Sequence, residues 1–368
     1  MLKYDCKYFK GDRPCSFNKI NGTVCSNCDN YFPIQKKILI IKLDAIGDVL
    51  RTTSILKPLK NKYPDFFITW LTKSNAKDLF RGNLFVDEVL TIDSEDIFRL
   101  LSEKFDIVIN LDNSKTSSSI ASLINGNEKI GFLLDEKGFV LPTNSEADYW
   151  LHLSAFDSLK RENNKTYQEV MYSILNLEKP VQPPLLFLDE SDLKFAQSFS
   201  SKVNLSLNKT IIGLNIGIGP KWPSKGWPLL KWEELIKNLT DNNFELLLLV
   251  GPEEKTANDY LLKKYPFIKS SGCNNSLKEF ASIMNLCNVI VTSDSLALHI
   301  ATALNKKVIV LFGPTSDNEI ELYTNGIKLK SEDGCKCFYN KYCSEDISCM
   351  EKISSEKVYD SIKNILQS

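Results

Sequence analysis

Three short stretches of this sequence place reactive side chains beside glycine at the end of an apolar run. The first is Ile41-Lys42-Leu43-Asp44-Ala45-Ile46-Gly47-Asp48-Val49. Gly47 permits close approach of the backbone, and Asp48 stands where a helix opens beyond a strand, so its carboxylate could take a proton from a hydroxyl. Helix capping, which aspartate also favours, is the competing role. The second is Asn215-Ile216-Gly217-Ile218-Gly219-Pro220-Lys221-Trp222-Pro223-Ser224-Lys225-Gly226-Trp227-Pro228. The loop around Gly217 exposes backbone amides, and Lys225 comes just ahead of a helix whose first turn should hold Pro228; amides and an ammonium together suit a phosphate. A solvated lysine in a turn is the plainer reading. The third, Thr292-Ser293-Asp294-Ser295-Leu296-Ala297-Leu298-His299, opens another helix. A regular helix brings Asp294, Ser295 and His299 close together, and diphosphate or ribose binding is the expected chemistry. Capping by Ser293 or Asp294 is the alternative.

The ten cysteines suggest a different chemistry. Four fall early, as Cys6-x8-Cys15-x9-Cys25-x2-Cys28, and four fall late, as Cys335-x-Cys337-x5-Cys343-x5-Cys349. The start of the chain has no apolar leader, and no run is long enough to span a bilayer. The chain therefore reads as cytoplasmic, where disulfides are disfavoured. Each set of four is expected to hold a structural zinc or iron through thiolates at about 2.3 Å, away from the chemistry above. A single shared site and free thiols stay open. Cys273 and Cys287 read as buried small hydrophobes.

These residues need a scaffold. The 368 residues are 43% hydrophobic and 25% charged with a net charge of −1, which gives a globular chain of two domains and no basic field for nucleic acid. Continuous apolar runs at 38–41, 67–71, 106–111 and 129–132 predict buried parallel strands, with helical stretches between them. The pattern restarts with strands at 211–216, 245–250, 288–292 and 307–312. A helix over 49–62 should be kinked or divided by Pro58. Others are expected over 189–201 and over 354–367, the latter with Val358, Ile362 and Ile365 on one face. The fold class is α/β, with two parallel-sheet domains. The expected division is a cysteine-rich extension at 1–36, domains at 37–190 and 191–330, and a second cysteine-rich segment with a final helix at 331–368.

Taken together, segments 37–56, 213–235 and 291–315, the last ending in Leu311-Phe312-Gly313-Pro314-Thr315, resemble the bacterial heptosyltransferase family of GT-B glycosyltransferases. That family assembles the inner core of lipopolysaccharide, and a side branch glycosylates autotransporter proteins. The resemblance implies two Rossmann-like domains facing a cleft, acceptor side first and donor side second. It implies sugar transfer with inversion from a nucleotide-diphosphate sugar, ADP-heptose, to a hydroxyl of a lipopolysaccharide core, glycan or protein. On it, Asp48 is the base, Lys225 meets the donor phosphates, and Asp294, Ser295 and His299 bind the nucleotide-sugar. An acidic residue for the ribose is Glu254 or Glu253, with Glu254 favoured. Leu296 stands where the family has glycine. The autotransporter branch is similar in carrying a C-terminal four-cysteine iron site, with different spacing. No Asp-x-Asp triplet occurs, so no catalytic divalent metal is expected. The implied partners are the nucleotide-sugar and a lipid-linked glycan or protein acceptor, without nucleic acid. Association with the cytoplasmic face of the inner membrane and homo-oligomerisation stay open. An epimerase or dehydrogenase would need a Gly-x-Gly-x-x-Gly that is missing, and a hydrolase would need a Gly-x-Ser-x-Gly. A non-catalytic metal-binding or redox protein on a transferase scaffold is the alternative.

Overall fold

The computed structural model describes residues 1–219, 221–240 and 243–367; Pro220, within the glycine-rich loop, lies outside them. The chain divides into two compact units. One comprises Met1–Leu43, Leu56–Lys73 and Leu84–Asn144, and the other Asp44–Ile55, Ser74–Asn83 and Ser145–Ser368. The cysteine-rich extension thus groups with the first sheet. Residues 145–190, placed by sequence in the first domain, group with the second unit, as does the segment from 331 onward.

The first unit is built on β1 (Lys36–Ile41), β2 (Phe66–Thr72), β3 (Glu88–Thr91), β4 (Lys104–Asn110), β5 (Asn125–Leu134) and β6 (Val140–Pro142). Their order across the sheet is β3-β2-β1-β4-β5-β6. All pairs are parallel except the β5–β6 hairpin. Ile38, Leu39, Ile40 and Ile41 are fully buried, as a strand covered on both faces requires. The second unit carries β7 (Thr210–Asn215), β8 (Phe244–Leu249), β9 (Lys269–Ser270), β10 (Val289–Ser293), β11 (Lys307–Phe312) and β12 (Gly326–Lys330), all parallel. Its order, β12-β11-β10-β7-β8-β9, is the same permutation read from the other edge. Each sheet therefore has one point where the strand order reverses, between β1 and β4 and between β7 and β10, and open sheets bind ligands at that place.

The expected 49–62 helix is divided into Ile46–Thr52 and Leu56–Lys62, joined by a tight turn at Thr53–Ile55. Pro58 has no N–H for the Ser54 carbonyl four residues back, and Tyr172 Oη donates to that carbonyl instead at 2.9 Å. The helix Glu190–Lys202 starts from Asp189, which accepts from the Ser191 and Asp192 amides. The last helix, Ser355–Gln367, buries Val358, Ile362 and Ile365 as expected. Among the described residues no helix is long and apolar enough to cross a membrane.

Candidate active site

The residues singled out by sequence meet at the carboxyl ends of β7 and β10. Asn215, the last residue of β7, donates its side-chain amide to the Leu249 carbonyl at 2.9 Å. Its Oδ1 accepts from Thr292 and Ser295 hydroxyls at 2.9 and 3.2 Å. Ser295 is the residue preceding the helix Leu296–Ala303, and its hydroxyl makes no capping bond. It is held by Asn215 instead. Neither Ser293 nor Asp294 caps this helix.

Asp294 turns the other way. Its Oδ2 accepts from Lys225 Nζ and from Thr315 Oγ1, both at 2.8 Å, and the lysine also reaches the Asp294 carbonyl at 3.3 Å. Burial would raise the carboxyl's pKa, but Lys225 and His299 outweigh it and bring it down to about 2. Lys225 thus lies against Asp294, with one of its three N–H donors uncommitted to it. The loop is pinned from behind. Trp227 is buried, donates to the Ile353 carbonyl at 3.0 Å and packs edge-on against Trp232. Pro228 lies one residue before the helix Leu229–Thr240, not in its first turn.

His299 is 9% exposed. Burial, reinforced by the positive charge of Arg51, lowers its pKa to about 4, so the imidazole is neutral near pH 7. Gly47 is required here: a Cβ on it would lie 2.7 Å from the imidazole Cδ2. Asp48 follows as the third residue of the helix Ile46–Thr52. This is not the capping position, although one carboxylate oxygen is 3.4 Å from the Ala45 amide. The other oxygen pairs with Arg51 at 2.8 Å, and the Asp48 side chain stays about a third exposed (36%).

Arg51 was not singled out by sequence, yet it ties the site together. Its guanidinium stacks 3.7 Å from the Tyr167 ring centroid. Burial opposes its charge, but Asp48, Tyr167, Glu319 and Asp294 raise its pKa further above the ordinary arginine value. Glu319 is also buried, and burial raises its pKa despite Arg51 and Lys160. The i, i+3 spacing of Asp48 and Arg51 was a readable signal. Glu319 and Thr315 are brought in only by the fold.

Beside this charged cluster lies a cavity of about 490 Å³ lined by Ile46, Gly217, Gly219, Gly251, Glu254 and Ser295, among others. Glu254 accepts from the Gly251 amide at 3.0 Å. A Cβ on Gly217 would sit 2.8 Å from the Glu254 carboxyl carbon, so glycine there is what admits the carboxylate. Glu253 lines the same cavity, as do Leu296 and the half-buried Cys273. Cys287 is fully buried, as expected, and packs where a Cβ on Gly213 would come within 2.8 Å of its sulfur.

The C-terminal cysteines do not gather as four thiolates around one point. Cys337 is joined to Cys343 as a disulfide, and Cys349 lies beside Cys335, its thiol pushed up to about 12 by burial and by that neighbour. The four pair off two by two. As placed they do not fit a single metal ion. Among the described residues no three His, Cys, Asp or Glu side chains form a group that could hold one. Nor is this segment remote from the site, as expected from sequence. Ser224, next to Lys225, donates its hydroxyl to the Asn340 carbonyl at 2.7 Å and its amide to that of Lys341 at 3.3 Å. Trp222 packs edge-on against Tyr339.

Two sheets with the 3-2-1-4-5-6 order are the paired Rossmann-like halves of the GT-B architecture, which by itself does not fix an activity. The model of glycosyltransferase family 9 (heptosyltransferase) matches residues 96–347, and the chain belongs to that family. Lipopolysaccharide heptosyltransferase 2 of Salmonella typhimurium is 25% identical over 305 residues, covering 76% of this chain and 83% of its own. A glycosyl transferase family 9 structure from Veillonella parvula superposes with a TM-score of 0.74 at 20% identity, over 91% of this chain and 98% of its own. The Escherichia coli ADP-heptose lps heptosyltransferase II structure gives 0.65 at 21% identity, over 90% and 98%. The protein is a glycosyltransferase of the heptosyltransferase type.

Proposed function

We propose that this enzyme transfers heptose from ADP-heptose to a hydroxyl of a lipopolysaccharide core, glycan or protein acceptor, with inversion at the anomeric carbon. ADP-heptose stands in the name of the Escherichia coli relative, and lipopolysaccharide in those of the relatives from Salmonella typhimurium and Campylobacter coli. The reaction would run at the cytoplasmic face of the inner membrane. The observation that carries the reading is the Asp48–Arg51–His299–Asp294–Lys225 cluster beside the glycine-lined cavity. Asp48 is exposed enough to meet an acceptor hydroxyl and take its proton, with Arg51 holding its carboxylate in place. As the anomeric carbon loses its bond to the diphosphate, charge grows on the departing oxygen. The remaining Lys225 donor and the amides opening the helix Leu296–Ala303 supply opposite charge and dipole. His299, neutral, can hydrogen-bond the donor without adding charge beside Arg51. Glu254 offers a carboxylate to the ribose hydroxyls. This arrangement supplies the charge that a metal would otherwise supply to the leaving group.

The test is Asp48→Asn. Turnover with ADP-heptose and a lipopolysaccharide core acceptor should fall about a hundredfold or more, the scale of a positioned base, while ADP affinity and melting temperature hold. Turnover within a few-fold of the parent would remove Asp48 from the chemistry.

A further inference from the structure

The N-terminal cysteines take part in none of the chemistry above. Residues 1–35 contain no buried residue. Their regular structure is one six-residue helix, Ser16–Asn21, and a single turn at Cys25–Asn27. Even so, the segment is a closed loop. Its two ends pair as a bridge between Cys6 and Pro33, with the Lys7 amide donating to Phe32 and the Ile34 amide to Asp5. Tyr31 donates to Asp5 at 2.7 Å, and Lys7 meets Asp87 of the same unit at 2.5 Å. Fixing a residue's backbone costs about 1–2 kcal/mol. A loop of this length that buries no side chain has no core of its own to offset that cost.

What the loop does have is an interior. A cavity of about 380 Å³ opens within it, and all four cysteines, Cys6, Cys15, Cys25 and Cys28, line its wall together with aromatic rings such as Phe9 and Phe17. Here all four cysteines line one cavity with room for more than a single ion. Four cysteines around a space of that size, walled by aromatic carbon, match the ligand set and surroundings of a polynuclear centre.

We propose that Cys6, Cys15, Cys25 and Cys28 ligate a four-iron, four-sulfide cluster that organises the N-terminal loop. Its binding energy takes the place of the missing core, as structural metal does in other small domains.

The full-length chain, produced and purified without oxygen, is assayed for iron, zinc and acid-labile sulfide. About four irons and four sulfides per chain are expected, with a visible absorption band that bleaches on reduction. One zinc without sulfide, iron without sulfide, or neither metal nor sulfide overturns the proposal, and this measurement needs no variant. Cys25→Ser/Cys28→Ser should lose all the sulfide, whereas Cys335→Ser/Cys349→Ser should keep it. Sulfide that survives the first pair, or disappears with the second alone, also overturns the assignment. Should the first pair fail to fold, the second pair still decides which end of the chain carries the cluster.

Discussion

The two sheets share one strand order and therefore offer two equivalent crevices, and the protein furnishes them in opposite ways. Beyond β1 and β4 of the first unit, Lys42 and Asp112 are both buried and form an ion pair, with the Leu43 amide also donating to Asp112. Asn110 at the end of β4 donates to the Phe132 carbonyl at 2.7 Å and accepts from the Asp112 amide at 3.1 Å. Beyond β7 and β10 of the second unit, Asn215 makes the same kind of strand-end bond to Leu249, but glycines follow and a cavity of about 490 Å³ remains. Topology thus provides the location twice. Side chains decide which crevice closes on itself and which stays open.

The largest expected effect tests the closed crevice. Asp112→Ala leaves the buried Lys42 ammonium without its carboxylate, and the cost of breaking such a pair is about 3–5 kcal/mol. Denaturant unfolding should show that loss, while ADP affinity of the folded fraction stays unchanged. Lost affinity with unchanged stability would mean that the first crevice also serves the ligand, and the contrast would fail.

Next comes the pH response of the open crevice. His299 titrates near 4 in the folded protein against 6.5 ordinarily. The unfolded chain therefore binds the extra proton first. This contribution to stability is complete above pH 6.5 and is lost as pH falls towards 4, on the order of 3 kcal/mol for this shift. His299→Gln should flatten the stability profile in that window. Asp294, held near 2 against 3.8, adds a second loss only below pH 3.8, which Asp294→Asn should remove. An unaltered profile between pH 6.5 and 4 in the His299 variant would contradict its burial as a neutral group.

Gly47→Ala probes the contact between the helix Ile46–Thr52 and the histidine. The added methyl must displace the imidazole, and such overpacking costs about 1–3 kcal/mol. Melting temperature and turnover should both drop; a variant as stable and active as the parent would show that the approach is loose. The smallest effect sharpens the ligand side. Lys225→Ala should weaken ADP about tenfold, the worth of one charge-assisted hydrogen bond, and leave adenosine nearly unaffected. Equal losses for both ligands would take the lysine away from the phosphates.

Much of this arrangement was legible because the central strands are buried on both faces and so read as unbroken apolar runs. Ile38 to Ile41 and Val308 to Phe312 could hardly be anything else. The strands that were missed are edge or short ones: β3 is a four-residue edge strand, β12 alternates with exposed lysines, β9 has two residues, and β6 is a three-residue hairpin arm. Among site residues, Asp48, Lys225, Asp294 and His299 announced themselves by standing next to glycine or at a helix start. Glu319 had no local signal, because its proximity to Arg51 is created by chain that returns from far along the sequence; Thr315 lay within a recognised segment, but its bond to Asp294 was not legible. The C-terminal cysteines were legible as a group, but their arrangement two by two, Cys337 with Cys343 and Cys335 beside Cys349, was not.

The chain passes from one unit to the other at 43/44, 55/56, 73/74, 83/84 and 144/145. The two sheets are consequently not exchangeable cassettes. A hybrid made by splicing two relatives at 144/145 would carry Asp48, Gly47 and Arg51 from one parent into a unit whose His299, Asp294 and Glu319 come from the other. Selection must then act on these groups as a linked set, although they stand far apart along the chain. Recombination that respects the strand count can still separate Asp48 from the histidine its neighbouring glycine was fitted to.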